Sequence, residues 1–164
     1  VTIAVYPGSF DPITMGHVDV VTRASQLFET IVMAVVRNPG KSPQFSLEER
    51  VEFVRESTKH LKNVKVESFE GLTVDLAKTH NAKVIIRGLR AVSDFDHEFA
   101  MSQMNKRLCP EVETIFMMAG LEYQFLSSSM TKEVARLGGD IGGLVPAKVT
   151  PYLSRGSRVE KAGA

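Results

Sequence analysis

Short β-branched apolar runs alternate along the chain with longer stretches in which apolar residues recur every three or four positions. The first run is Thr2-Ile3-Ala4-Val5-Tyr6, and residues 16–28 follow it with helical spacing. A second run at 30–36 precedes a helix over 46–57, where Leu47, Val51 and Val54 fall at i, i+4 and i+7 and mark one buried face. Ser46-Leu47-Glu48-Glu49 has the form of a capping box at its start. Beyond it the pattern predicts a strand at 63–69, a helix around 72–79, a strand at 83–86, a helix over 94–108 and a fifth strand at 113–118.

Strands that are apolar along their whole length are buried on both faces, as in a parallel sheet covered by helices. Right-handed crossovers then yield a doubly wound α/β sandwich with five parallel strands. Such sheets bind ligands beyond the carboxyl ends of their strands, where the winding direction reverses. With strand order 3-2-1-4-5 that crevice lies between the first and fourth strands. It brings residues 7–11 beside residues 87–90.

The chain has 164 residues, 43% of them apolar, enough for one core and too few for two comfortable domains. A single domain is expected over residues 1–153. The small and charged residues 154–164 are expected to form a flexible tail. With 20 basic and 19 acidic side chains, no general basic surface for nucleic acid or anionic membrane is indicated. The apolar stretches at 31–36 and 115–119 fall far short of the ~20 residues that span a bilayer, and no basic segment precedes a long apolar run at the N-terminus. A cytoplasmic location is expected. The one cysteine, Cys109, excludes an internal disulfide, and His17, His60, His80 and His97 fall in no metal-ligand spacing.

The chemistry gathers at strand ends. Gly8 and Ser9 follow the first strand, offering backbone freedom and a hydroxyl where the next helix can turn free N–H groups toward an anion. Pro7-Gly8-Ser9 alone reads as a simple turn. Gly16-His17 changes that, because His17 at the first helical turn can donate a ring N–H to a phosphoryl oxygen. Ser127, Ser128 and Ser129 stand at another expected helix start, where one serine suffices for a cap. Arg87-Gly88-Leu89-Arg90 ends the fourth strand with two cations whose forks match phosphate oxygens. Gly40-Lys41-Ser42 is no P-loop, since Val35 stands where that motif needs glycine.

Pro7-Gly8-Ser9-Phe10-Asp11-Pro12 with Thr14-Met15-Gly16-His17 resembles the first signature of the nucleotidyltransferase superfamily, and residues 126–132 resemble its second. Together with Arg87-Gly88-Leu89-Arg90 and Asp94-Phe95-Asp96-His97-Glu98-Phe99, they make residues 1–153 similar to the bacterial phosphopantetheine adenylyltransferases. The resemblance implies a Rossmann-like nucleotidyltransferase fold. It implies Mg2+-dependent, reversible adenylyl transfer from ATP to 4'-phosphopantetheine, giving dephospho-coenzyme A and pyrophosphate in coenzyme A synthesis, with coenzyme A as a possible feedback ligand and a homohexameric assembly. Mg2+ would arrive with ATP, and no protein metal site is expected. Carried over by position, Ser9, Phe10, His17, Gly88, Leu89, Arg90, Glu98, Tyr123, Gln124, Phe125, Leu126, Ser127, Ser128 and Ser129 would bind ATP. Ser9, Lys41, Thr73 and Arg87 would hold phosphopantetheine, and His17, Lys41 and Arg90 would serve catalysis. Ser9 stands where many members have threonine, and His97 where many have tyrosine. The signatures by themselves leave open another phosphate-bearing acceptor or a non-catalytic ATP sensor.

Overall fold

Five parallel strands, β1 (Ile3–Gly8), β2 (Thr30–Val36), β3 (Val64–Phe69), β4 (Val84–Leu89) and β5 (Glu113–Met118), lie in the order β3-β2-β1-β4-β5. Five helices connect or follow them: α1 (Met15–Ala24), α2 (Leu47–Thr58), α3 (Thr73–Thr79), α4 (Val92–Leu108) and α5 (Ser128–Arg136). The computed structural model describes residues 2–40 and 42–154, the side chains of Val92 and Ser93 excepted. Lys41 and residues 155–164, the remainder of the expected tail, lie outside the described residues.

The two faces of the sheet can be read from alternate residues of its inner strands. Ala4 and Tyr6, Ile31, Met33 and Val35, and Val84 and Ile86 point to one core with α1, α2 and Ala135 of α5. Val5, Val32, Ala34 and Ile85 point to the other, with Val74, Leu76 and Ala77 of α3. Burial on both faces is why these strands read as continuous apolar runs. The doubly wound Rossmann-like expectation and its strand order hold. Among the described residues no helix is long and apolar enough to cross a membrane.

Differences from the sequence pattern have local causes. β4 runs through Arg87, Gly88 and Leu89 because β5 presents Phe116, Met117 and Met118 as ladder partners, although arginine and glycine are weak strand formers. α1 stops at Ala24, four residues early. The Ser25 hydroxyl donates to Thr22 O (2.7 Å), and Asn63 Nδ2 donates to Ser25 O (2.8 Å) and Phe28 O (2.9 Å), so side chains satisfy carbonyls that a longer helix would have used. The Ser46 capping box forms with both reciprocal bonds. Residues 141–153, given no element by the pattern, bury Ile141, Val145, Val149 and Leu153 in the α1–α2 core and accept the Met15 N–H at Leu144 O (2.9 Å).

Candidate active site

Strand order decides the location of the site. Parallel pairing of β1 with β4 sets their carboxyl ends side by side, and Arg87 Nη1 donates to Pro7 O at 2.9 Å across the crevice. An open cleft of about 480 Å³ lies there, walled by residues 6–10, α1, the end of β4, α4 and the serines at 127–129.

The β1 exit is shaped by Phe10, not by an unusual glycine backbone. Phe10 is buried with φ at +44°, and its ring packs edge-on against Tyr6 and His17 at centroid distances of 5.6 and 5.1 Å. A Cβ on Gly8 would sit 2.8 Å from Phe10 Cζ, so Gly8 is required by that close approach. Gly8→Ala is expected to cost about 1–3 kcal/mol in urea denaturation, because the ring must shift from its packing on Tyr6 and His17. An unchanged midpoint would show that the loop yields instead.

His17 is the third residue of α1 and closes a capping box with Thr14. The Thr14 N–H donates to His17 Nδ1 at 3.0 Å, and Thr14 Oγ1 lies 3.0 Å from the same nitrogen. A nitrogen that accepts a main-chain N–H carries no proton, so in the neutral ring the proton sits on Nε2, which has no partner among the described residues. Burial, with the nearby Arg90 and Arg87 charges, pushes the His17 pKa down to about 4. At neutral pH the side chain is therefore an uncharged, oriented N–H donor on the cleft wall.

Arg87 of β4 and Arg90 just past its end are matched by carboxylates one turn apart on α4. Arg87 grips Glu98 bidentately through Nε (2.8 Å) and Nη2 (2.6 Å), while Nε and Nη2 of Arg90 meet Asp94 at 3.1 and 3.2 Å. Arg90 Nη1 also donates to Leu126 O at 3.2 Å, tying β4 to the opposite wall. Hydrogen bonding to Glu98 raises the Arg87 pKa further. Burial disfavours the Asp94 charge, yet the bonds from Arg90 hold its carboxyl below the ordinary range. The cleft thus carries two forked ion pairs where the sequence suggested two bare cations.

The three serines divide their work. Ser127 is the α5 N-cap and accepts the Met130 N–H (3.1 Å), and Ser128 Oγ donates to Pro12 O (2.8 Å). Ser129 is exposed, and among the described residues its hydroxyl has no partner. Ser9, Ser128 and Ser129 also border a second compartment of about 390 Å³, lined as well by Asp11, Arg50 and Lys132. Asp11 accepts Lys132 Nζ at 2.7 Å and the Gln44 and Phe45 N–H groups at 2.9 and 3.0 Å, joining the β1–α1 and β2–α2 loops to α5. Despite burial, these bonds hold its carboxyl below the usual range. Buried Arg50 donates through Nη1 to Ser9 O (2.7 Å) and Val36 O (3.3 Å), and its Nε has no partner.

Of the residues marked in the sequence, Ser9, Phe10, His17, Arg87, Gly88, Arg90, Glu98, Tyr123, Leu126, Ser127, Ser128 and Ser129 line the main cleft. Thr73 lies in a side compartment of about 130 Å³ that shares Arg87 and Glu98 with it. Leu89, Gln124 and Phe125 are not among the lining residues; Leu89 is buried, and Gln124 and Phe125 face outward. Thr14, Asp11 and Asp94 stand in the quoted segments without a role of their own, and Arg50 stands in none of them. Arg50 follows Glu48 and Glu49 in a helix and reads as a solvated charge. Asp94, four residues from Arg90 and from Glu98, carried a usable spacing signal.

Residues 5–134 match the cytidylyltransferase-like family. The chain is 58% identical over 153 residues to a phosphopantetheine adenylyltransferase of Heliobacterium modesticaldum, covering 93% of this chain and 91% of that protein. It is 57% identical to that of Carboxydothermus hydrogenoformans (90% and 91% covered) and 51% identical to that of a Clostridium botulinum strain (96% and 99%). A solved Vibrio parahaemolyticus structure assigned as a nicotinate-nucleotide adenylyltransferase shares the fold, with TM-score 0.72 at 17% identity over 94% of this chain and 92% of that one. With more than half its residues shared across nearly the whole length of these relatives, and both signature segments meeting at one cleft, the chain belongs to the phosphopantetheine adenylyltransferase family.

Proposed function

We propose that this enzyme transfers an adenylyl group reversibly from ATP to 4'-phosphopantetheine, releasing pyrophosphate and forming dephospho-coenzyme A. The observation that carries the reading is a pair of adjoining compartments with shared lining residues. A cleft with an oriented N–H donor on His17 and a Ser129 hydroxyl uncommitted among the described residues shares the Arg87–Glu98 pair as a common wall with a side compartment beside Thr73. The first suits a triphosphate nucleotide, and the second suits the arm of a phosphate-bearing acceptor.

A phosphate acceptor is already ionised near neutral pH, so it attacks the α-phosphorus in line without a general base. The new P–O bond forms as the bond to pyrophosphate breaks, and no covalent enzyme intermediate is needed. The protein positions the groups and stabilises charge spreading over the α-phosphate, with His17 Nε2–H as principal donor and Arg90 and Lys41 assisting. Asp11, Asp94 and Glu98, the carboxylates lining these compartments, are each paired with a cation. Among the described residues no metal-binding cluster forms. That donor set does not suit a resident ion, so Mg2+ belongs with the ATP phosphates.

The outer surface supports self-association into a homohexamer. Phe95, Phe99, Met101 and Met104 of α4 and Ile115 and Met118 of edge strand β5 are exposed large apolar side chains. Location in the cytoplasm and feedback binding of coenzyme A complete the reading.

The decisive experiment measures pyrophosphate release from ATP with and without added 4'-phosphopantetheine. Release that depends on this acceptor is expected. Equal release with nicotinamide mononucleotide would move the reading to another acceptor, and tight ATP binding without turnover would make the protein a sensor. Within the site, Ser129→Ala is expected to weaken ATP binding several-fold at unchanged melting temperature. Ser127→Ala is expected to cost about 1 kcal/mol of stability with near-normal ATP affinity. Reversed effects in calorimetric titration and thermal melts would exchange the roles of the two hydroxyls.

A further inference from the structure

Asp19 and Arg23 stand one turn apart on α1 and, by sequence, form an i, i+4 surface pair worth only about 0.3–0.5 kcal/mol. Their partners show otherwise. Arg23 Nη2 meets Asp19 Oδ2 at 2.8 Å and also donates to Met118 O, while the Gly120 N–H donates to Asp19 Oδ2 at 3.1 Å. The pair therefore holds both main-chain groups flanking Ala119, a lining residue of the cleft, as the chain leaves β5. A Cβ on Gly120 would lie 3.3 Å from Asp19 Oδ2, so glycine permits this close seat.

A run of hydrogen bonds starts from that anchor. Gly120 O accepts the Tyr123 N–H at 2.8 Å, Tyr123 O accepts the Leu126 N–H at 3.0 Å, and Leu126 O accepts Arg90 Nη1 at 3.2 Å. Tyr123 is also seated on the first turn of α1, its Cβ 3.5 Å from where a Gly16 Cβ would be. Asp19 itself does not line the cleft.

We infer that Asp19, with Arg23, is a positioning residue for the nucleotide: it sets the wall from Gly120 to Ser129 and, through Leu126, the place of Arg90, without touching substrate. The inference rests on the assignment of the main cleft to ATP. It distinguishes the two substrates, because none of the residues lining the side compartment beside Thr73 belongs to this wall.

Calorimetric titration of ATP and, separately, of 4'-phosphopantetheine into the full chain tests it. Asp19→Ala is expected to weaken ATP about tenfold and leave the acceptor within about twofold. Arg23→Gln is expected to act in the same direction by about threefold, and Asp19→Asn, which keeps an oxygen for the Gly120 N–H, to recover part of the loss. ATP affinity unchanged in these variants, or both substrates weakened equally, overturns the inference. Should Asp19→Ala not fold, Arg23→Gln and Asp19→Asn carry the same comparison. Failure of the wild type to release pyrophosphate with this acceptor would instead overturn the functional reading.

Discussion

His17→Gln is expected to lower kcat at least ~100-fold while the protein remains as stable as the wild type at pH 7. Losing one preorganised donor to a developing oxyanion costs about 2.7–4 kcal/mol of barrier. Glutamine is the informative substitution because His17 has a second job: its Nδ1 accepts the Thr14 N–H in the α1 capping box. A glutamine oxygen at that helix position can accept the same N–H. His17→Ala removes both roles and should also lose about 1 kcal/mol of stability. Near-normal turnover of His17→Gln in a steady-state pyrophosphate assay would leave His17 as a cap only.

The same residue makes a pH prediction. Its pKa is pushed from 6.5 down to about 4, so it stays neutral through the physiological range, and kcat/KM, which reports the free enzyme, should show no His17 ionisation between pH 5.5 and 8. For stability the sign follows from proton binding: the unfolded chain takes up a proton near pH 6.5, the native one only near 4. The contribution is present above about 6.5 and is lost as pH falls toward 4. Urea midpoints at pH 7 and 4.5 should converge more for His17→Gln than for wild type. A rate profile with a midpoint near 6.5 that vanishes in His17→Gln would contradict the neutral-donor assignment.

Arg87→Met is expected to destabilise the fold by about 3–5 kcal/mol, because it leaves Glu98, only 12% exposed, as an unpaired carboxylate. For a chain of this size that is a fall in Tm of roughly 10 °C. Adding Glu98→Leu should recover most of the stability, since a buried ion pair replaced by apolar groups of similar volume is close to neutral. It should not recover turnover, because neither the Arg87 fork nor the Glu98 carboxylate remains where the two compartments meet. A double variant as unstable as Arg87→Met would mean that the loss comes from the bond to Pro7 O and not from the stranded carboxylate.

How far the sequence carries can be judged residue by residue. The β1 exit, the arginines at 87 and 90 and the serines at 127–129 were legible because each lies at the end of a periodic segment and bears chemistry out of keeping with a plain turn. The convergence of residues 7–11 with 87–90 followed from strand order alone. Asp11 with Lys132 was not legible, because 121 positions separate the pair and each lies inside a signature that local reasoning explains without the other. Nor was the burial of Arg50, whose neighbours in sequence are charged while its neighbours in space are the carbonyls of Ser9 and Val36.

From the sequence by itself follow the element types, the double winding of the sheet and the inventory of candidate phosphate-binding groups. Periodicity and signature spacing are local properties, and hydrophobic burial acts on them residue by residue. Only the tertiary structure decided that Gly8 answers to the Phe10 ring, that His17 is a neutral Nε2–H donor, that Arg87 and Arg90 are matched by Glu98 and Asp94, and that Ser129 keeps its hydroxyl uncommitted among the described residues. Each of these depends on which donor comes within about 3 Å of which acceptor. That distance is set by the packing of segments remote in the chain, and no local pattern encodes it.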